Sequence, residues 1–257
     1  MRGNKNVIWK NHYGQEITFD NRKLYVESID MTGTAGVHTV ETLAQANGQV
    51  SLHHNLAAKT IPCRFAFRDV HGDHWLQEHL PGLFNPEAGA GTLTVLTDKH
   101  RYTIGCYPQD IPTFERDENV DDIWRFNADF VADSPLWRQD GKRTVALNSS
   151  TTAIRSECPF EIAPDIYLPA SGALWIAING KGLSVDDHEW PIIIKAATLD
   201  VIKAADGADC SYLIDAQYDI DSLRIRYGKN IVTYGVRSGD APSGASLSYY
   251  NLSAGEV

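Results

Sequence analysis

No run of about 18 uninterrupted apolar residues occurs in this 257-residue chain, so no helix in it is expected to cross a bilayer. The start, MRGNKNVIWKN, is polar and lacks the apolar segment of an export signal. Cysteine is scarce: Cys63, Cys106, Cys158 and Cys210 stand far apart and never as CxxC. They match no zinc or redox motif, and a cytoplasmic origin makes them free, small, buried hydrophobes. Catalytic signatures are missing as well, with no GxSxG elbow, no P-loop, no GxGxxG after a strand and no HExxH. Ser, His and Asp occur, but nothing in their spacing makes them converge on a triad. The expectation is therefore no enzyme, no cofactor and no catalytic residue. Basic charge is also in short supply, 23 Lys+Arg against 33 Asp+Glu, for a net charge of -10. Residues 1–147 carry 15 against 19 and residues 148–257 carry 8 against 14. Neither half has the basic footprint that phosphate backbones require, which excludes sequence-specific nucleic acid as a partner.

What is present speaks mostly of β-structure. At 43% hydrophobic and 22% charged the composition is globular, and the length suits one large β domain or two, each able to bury a core. Leu24–Met31 is short, β-branched and aromatic, and follows the turn-like Asp20-Asn21. Thr60–Phe67 alternates, with Ile61, Cys63, Phe65 and Phe67 on one face, and Asp122–Val131 does the same with Trp124, Phe126, Ala128 and Phe130. Gly91–Thr97 and His100–Tyr107 flank Asp98-Lys99 as a compact hairpin. Period-two patterning of this kind predicts antiparallel sheets with one buried face. One helix is predicted, over His71–Leu80, with Asp73 as N-cap and Pro81-Gly82 as the stop. Thr32 to Lys59 is rich in Thr, Gly, Ala and His and has no core character, so it reads as a lid or an arm reaching a neighbour.

The polar run Arg138–Arg143, followed by Asn148–Thr152, reads as a linker and a fresh start, placing domains at 1–147 and 148–257. Beyond it, strands are predicted at Leu174–Ile178, Trp190–Lys195, Thr198–Ile202, Tyr212–Ile214, Ser222–Arg226, Asn230–Tyr234 and Ala245–Tyr250. Such spacing without a long helix predicts a sandwich or jelly roll.

Three groups invite a chemical reading. His71, His74 and His79, near the His53-His54 pair, offer zinc ligands, but Gly72 weakens a helix there and surface or interface histidines are the simpler reading. The acidic runs Glu115–Asp122 and Asp186–Glu189 suggest calcium or an acid/base pair, yet neither has EF-hand spacing and both read as solvated loops. Trp175, Trp190, Tyr212, Tyr227, Tyr234, Tyr249 and Tyr250 could build a sugar platform, although alternation with polar residues is how core aromatics look.

The order of these features is itself informative. The first strand, the Gly/Thr-rich arm, Phe65-Ala-Phe-Arg-Asp69, the single helix, the hairpin and the strand running into Ala132-Asp-Ser-Pro-Leu-Trp137 follow one another. Together with Leu223-Arg-Ile-Arg-Tyr-Gly-Lys-Asn-Ile231 and Ser246-Leu-Ser-Tyr-Tyr-Asn-Leu252, they resemble the distal tail proteins of long-tailed siphophages and related prophages. The likeness covers nearly the whole chain and rests on short motifs in order. It implies an all-β chain with one short helix: an N-terminal β-sandwich or split barrel over 1–147, and a galectin-like sandwich over 148–257. It further implies a hexameric ring at the virion tail tip, assembled in the host cytoplasm, joining the tail tube protein to the hub or fibre protein and docking other baseplate proteins. The stretch of about 32–59 would then be the belt onto the adjacent subunit, with Thr39, Glu41, His53 and His54 at the oligomer interface. Among the aromatic residues of the C-terminal half, Trp175 and Trp190 are the candidate contacts for a partner or a host-surface carbohydrate. The alternative is a carbohydrate-binding host-recognition protein acting through the C-terminal sandwich.

Overall fold

A computed structural model describes residues 5–32, 36–42, 49–68, 75–120, 122–147, 151–214, 219–236 and 243–254, with the backbone alone over 36–42, 49–55 and at Trp75. The chain divides into two compact units, Met1–Asp140 together with Ser253–Val257, and Gly141–Leu252. The first holds β1 (Asn6–Lys10), β2 (Glu16–Phe19), β3 (Leu24–Ile29), β4 (Gly36–Thr42), β5 (Gln49–Leu56) and β6 (Lys59–Arg68). The helix α1 (Trp75–Leu83) follows, then β7 (Gly91–Leu96), β8 (Arg101–Pro108), β9 (Phe114–Arg116), β10 (Ile123–Ala132) and β11 (Trp137–Gln139). The second holds β12 (Arg143–Ala146), β13 (Thr151–Ser156), β14 (Asp165–Leu168), β15 (Leu174–Ile178) and β16 (Lys181–Val185). It continues with β17 (Ile192–Lys195), β18 (Asp200–Lys203), β19 (Gly228–Val236) and β20 (Ser246–Tyr249), after which β21 (Leu252–Ser253) leads the chain back to pair with β11.

In the first unit the strand order is β2-β1-β7-β8-β10-β6-β3, with β9 on β10 and β11 on β8. The seam between β8 and β10 is only two residue pairs long, Phe130↔Pro108 and Val131↔Tyr107. The sheet curls at this seam: Phe19 of β2 stacks on Phe65 of β6 at 4.0 Å although their strands lie near opposite ends of the order. Trp9 of β1 likewise meets Phe130 of β10 at 4.8 Å. The alternation read from the sequence is what fills this interior, since Ile61, Cys63, Phe65, Phe67, Phe126, Ala128 and Phe130 are all buried. Offset and tilted ring pairs of this sort add to plain area burial.

The helix departs from expectation. It runs through Pro81 and Gly82 to Leu83 instead of stopping before them, and the proposed Asp73 cap lies outside the described residues. Pro81 removes one backbone donor, but the last turn is held from outside. The Trp9 indole Nε1 donates to the Leu83 carbonyl at 2.8 Å, the Phe84 amide donates to the Leu80 carbonyl at 3.1 Å, and Phe84 enters the aromatic cluster. Two strands at the polar start, β1 and β2, also went unread in the sequence, although Val7, Trp9, Ile17 and Phe19 alternate into the core.

The second unit is a two-sheet sandwich, β12-β20-β14-β17-β18 facing β13-β19-β15-β16. Ile166, Ile194 and Leu247 from one sheet and Ile176, Val232 and Tyr234 from the other share a single buried cluster. The strands predicted at Tyr212–Ile214 and Ser222–Arg226 are reduced to 3-10 turns at Ser211–Leu213 and Ile220–Ser222 with one isolated antiparallel bridge after each, Ile214↔Val185 and Ile225↔Ile162. The cause is local: the Asp209 carboxylate accepts from the Ser211 amide at 3.0 Å and Asp219 accepts from the Asp221 amide at 2.8 Å. Such side-chain bonds compete with a ladder for the backbone. Leu213, Leu223 and Ile225 are nevertheless buried, as their apolar character predicts.

Candidate functional site

The segment read as an arm is a hairpin with a sheet of its own. β4 and β5 pair from Gly36↔Leu56 to Thr42↔Gln49, with a register shift between Thr39 and Val40, and among the described residues belong to no other sheet. Thr39 pairs with His53, His54 pairs with His38, and Glu41 pairs with Val50, so all four residues named for an oligomer interface lie on this hairpin. An isolated two-stranded ribbon is marginal in water and leaves both outer edges open to pairing or packing.

The two roots of the hairpin are fixed by a buried cation. Lys59, only 2% exposed, follows the hairpin as the first residue of β6, and Met31, 1% exposed, precedes it. The Lys59 ammonium donates to the Met31 carbonyl and, at 2.9 Å, to the Ala254 carbonyl of the returning segment. It stands 5.9 Å from the ring centroid of Trp137, which is fully buried. Burial pulls the Lys59 pKa below the ordinary lysine range, and the Asp30 carboxylate opposes that pull. Asp30 is tied down beside it, accepting from the Thr32 amide at 2.8 Å and hydroxyl at 2.7 Å. Those two bonds, the hydroxyl first, hold its pKa below the usual 3.8. In the sequence Lys59 marks only the end of the arm. The signal was there: Lys59 shares the period-two phase of Ile61, Cys63 and Phe65, which points inward.

The acidic run Glu115–Asp122 serves structure in part. Asp117 accepts from the Asn119 and Val120 amides, turning the chain between β9 and β10, and pairs with Arg125. Arg125 and Arg64 also both reach Glu27 at the bulge of β3, at 2.6 and 2.9 Å. In the second run His188 is buried, its two ring nitrogens 2.9 and 3.0 Å from the Asp186 and Pro169 carbonyls. Among the described residues no three His, Cys, Asp or Glu side chains converge as metal ligands. His71 and His74 lie outside those residues, and His79 is exposed on α1.

The two tryptophans named for partner or sugar contact are not brought together. Trp175 is on β15 of the four-stranded sheet, 37% exposed, its ring against Gly235 of β19, the residue paired with it. Trp190 precedes β17 of the other sheet, packs against the core and is covered by the Lys203 ammonium at 4.8 Å. Tyr234 and Tyr249 are core residues, whereas Tyr212 and Tyr227 are 69% and 72% exposed. A shallow groove of about 500 Å³ runs along the β13–β19 edge between Ala153, Arg155 and Lys229, with two cations and no facing acid among its lining residues.

No protein-family model matches this sequence, and no curated protein does. Solved structures do match in fold. The chain is similar to the SPP1 Dit (gp 19.1) protein, described as a paradigm of hub adsorption apparatus in Gram-positive infecting phages. The TM-score is 0.71 at 12% identity, over 97% of this chain and 99% of that one. It is also similar to chains of the phage P2 baseplate in its activated conformation, with Ca and with Sr. There the TM-scores are 0.54 and 0.51 at 9% identity, over 98% of this chain and 99% of each of those. At such identities the likeness is one of fold, and it extends over both units.

Proposed function

We propose that this chain is a structural component of a phage or prophage tail tip, a non-enzymatic distal tail protein that closes into a hexameric ring between tail tube and hub or fibre. The observation that carries the reading is the β4–β5 hairpin. It is a ribbon with no further sheet partner among the described residues, rooted in the first β-unit of a chain whose whole length matches the fold of a phage hub protein. A cyclic ring requires heterologous contacts, one surface of each copy meeting a different surface of the next. A ribbon of this kind supplies one half of such a contact, and its outer edges gain a pairing there. The second unit is then a peripheral docking platform for other baseplate proteins, and the location is the virion.

Size-exclusion chromatography with light scattering over a concentration series tests the ring. The expected species has about six times the 28.5 kDa of one chain. A single-chain mass at every concentration, with and without a purified tail tube protein, sinks the reading.

A second reading, carbohydrate binding through the second unit, is favoured by one observation: the Trp175 ring lies over Gly235 with more than a third of the residue exposed. Sugars stack on such rings. Glycan-array binding by the full chain that Trp175→Ala abolishes would establish it, and the absence of any array signal would dismiss it.

A further inference from the structure

The geometry points to Lys59 as the positioning residue of the arm, a buried clasp that fixes the direction of the β4–β5 hairpin by tying both its roots to the returning C-terminal segment. An ammonium withdrawn from water loses its hydration unless fixed acceptors replace the solvent. Here two backbone carbonyls with specific positions in the fold do so. Met31 is the last core residue before the hairpin and Ala254 belongs to the segment that rejoins the first unit. The indole of Trp137, on the strand that pairs with β21, lies within cation–π range and completes the surround.

A hydrophobic side chain at this position would fill the space but leave the buried Met31 carbonyl and the half-buried Ala254 carbonyl without this donor. A lysine is therefore not interchangeable with its apolar neighbours in the alternation. Its effect is local and directional. The hairpin is joined to the unit at two places, beyond Met31 and ahead of Lys59. One cation holding the first root from the second removes the hinge freedom that two separate connections would otherwise have. Because the same cation holds Ala254, arm direction also depends on the return of the chain after the second unit. Use of the arm in a ring rests on the function proposed above; the clasp itself does not.

Double electron–electron resonance on the monomer fraction of the full chain tests this without requiring a ring. The four native thiols are buried, so spin labels go to introduced cysteines, one on the hairpin (Glu41→Cys) and one on an exposed residue of the same unit (Tyr13→Cys). The parent chain is expected to give a narrow distance distribution. Lys59→Met is expected to broaden it at least twofold, as is a chain ended at Asn251, which keeps Lys59 but lacks the returning segment. The two changes combined are expected to broaden it no further than the larger single effect. A label pair placed on β6 and β10 reports whether each variant still folds, and if one does not, the other decides. A parent distribution already as broad as the variants', an unchanged distribution in either folded variant, or independent addition of the two effects overturns the clasp. A broadened arm in a protein that never forms a ring would uphold the clasp and remove the ring.

Discussion

Gly182 marks where this fold leaves no room for a side chain. A Cβ there would stand 2.1 Å from the Ile176 carbonyl oxygen and 2.4 Å from the Ala177 Cβ on the neighbouring strand. Gly182→Ala must push β15 and β16 apart and is expected to cost about 1–3 kcal/mol in denaturant unfolding, as over-packing does. Gly105→Ala is the control: its added Cβ meets nothing nearer than 4.0 Å, and it should change stability by less than about 0.5 kcal/mol. Asp30 makes a prediction of different kind. Its carboxylate is stabilised by the Thr32 hydroxyl and amide, so its folded pKa lies below the ordinary 3.8. A depressed carboxylate contributes stability that is complete above the unfolded value and is lost as pH falls through the folded one. Carboxyl titration by NMR should therefore find Asp30 below 3.8, and Thr32→Val should move it back upward. A value at or above the ordinary one would dissolve this part of the arm's root.

At the scale of elements, α1 shows propensity yielding to packing. Read locally, Pro81-Gly82 ends a helix. In the fold, the Leu83 carbonyl is claimed by Trp9 and the following Phe84 contacts the rings of Trp9, Phe65, Phe126 and Phe130. The burial won by Phe84 outweighs the bond lost at the proline. Phe84→Ala should thus cost about 3–5 kcal/mol, measured by thermal or denaturant unfolding. It should also release the last helical turn to rapid amide exchange; unchanged exchange there would mean that the turn holds itself. Strand β6 shows the opposite case, in which pattern suffices. Burial alternates along β6 except at Ala66, and the register with β10, from Ile123↔Arg68 to Ala132↔Lys59, keeps Phe126 beside Phe65 and Ala128 beside Cys63. The 3-10 turns at Ser211 and Ile220 lie between these cases. Their apolar residues are legible as core, but Asp209 and Asp219 take the backbone out of the ladder, and an aspartate in a sequence does not announce which amide it will accept from.

For the whole molecule, connectivity is the instructive feature. The second unit is entered once at Gly141 and left once at Leu252, and the chain then finishes in the first unit. The first unit therefore needs residues from both ends of the sequence, and the Ala254 carbonyl on Lys59 is one place where that need is met. If six such chains close into a ring, each arm must reach a surface of the next copy that differs from the arm itself. Replacing residues 36–56 by a short Gly-Ser linker should then leave single chains where the parent assembles, by light scattering, while both β-units remain folded. Assembly that survives this replacement would move the interface elsewhere on the molecule.

The sequence alone determined the chemistry class of nearly every segment. Period-two alternation marked β6 and β10, and an apolar-poor stretch of Thr, Gly, Ala and His marked the hairpin. These properties are local, because burial of one strand face is written in consecutive residues. Tertiary structure alone decided which strands curl to meet, that α1 outruns its proline, and that Trp175 and Trp190 stand on different sheets. It also turned a lysine in an apolar alternation into a clasp on Met31 and Ala254. Such pairings join residues up to 195 positions apart, and at that distance partner choice is set by the geometry of the assembled sheets, where hydration lost by a buried group must be made good by whatever acceptors the fold brings to it.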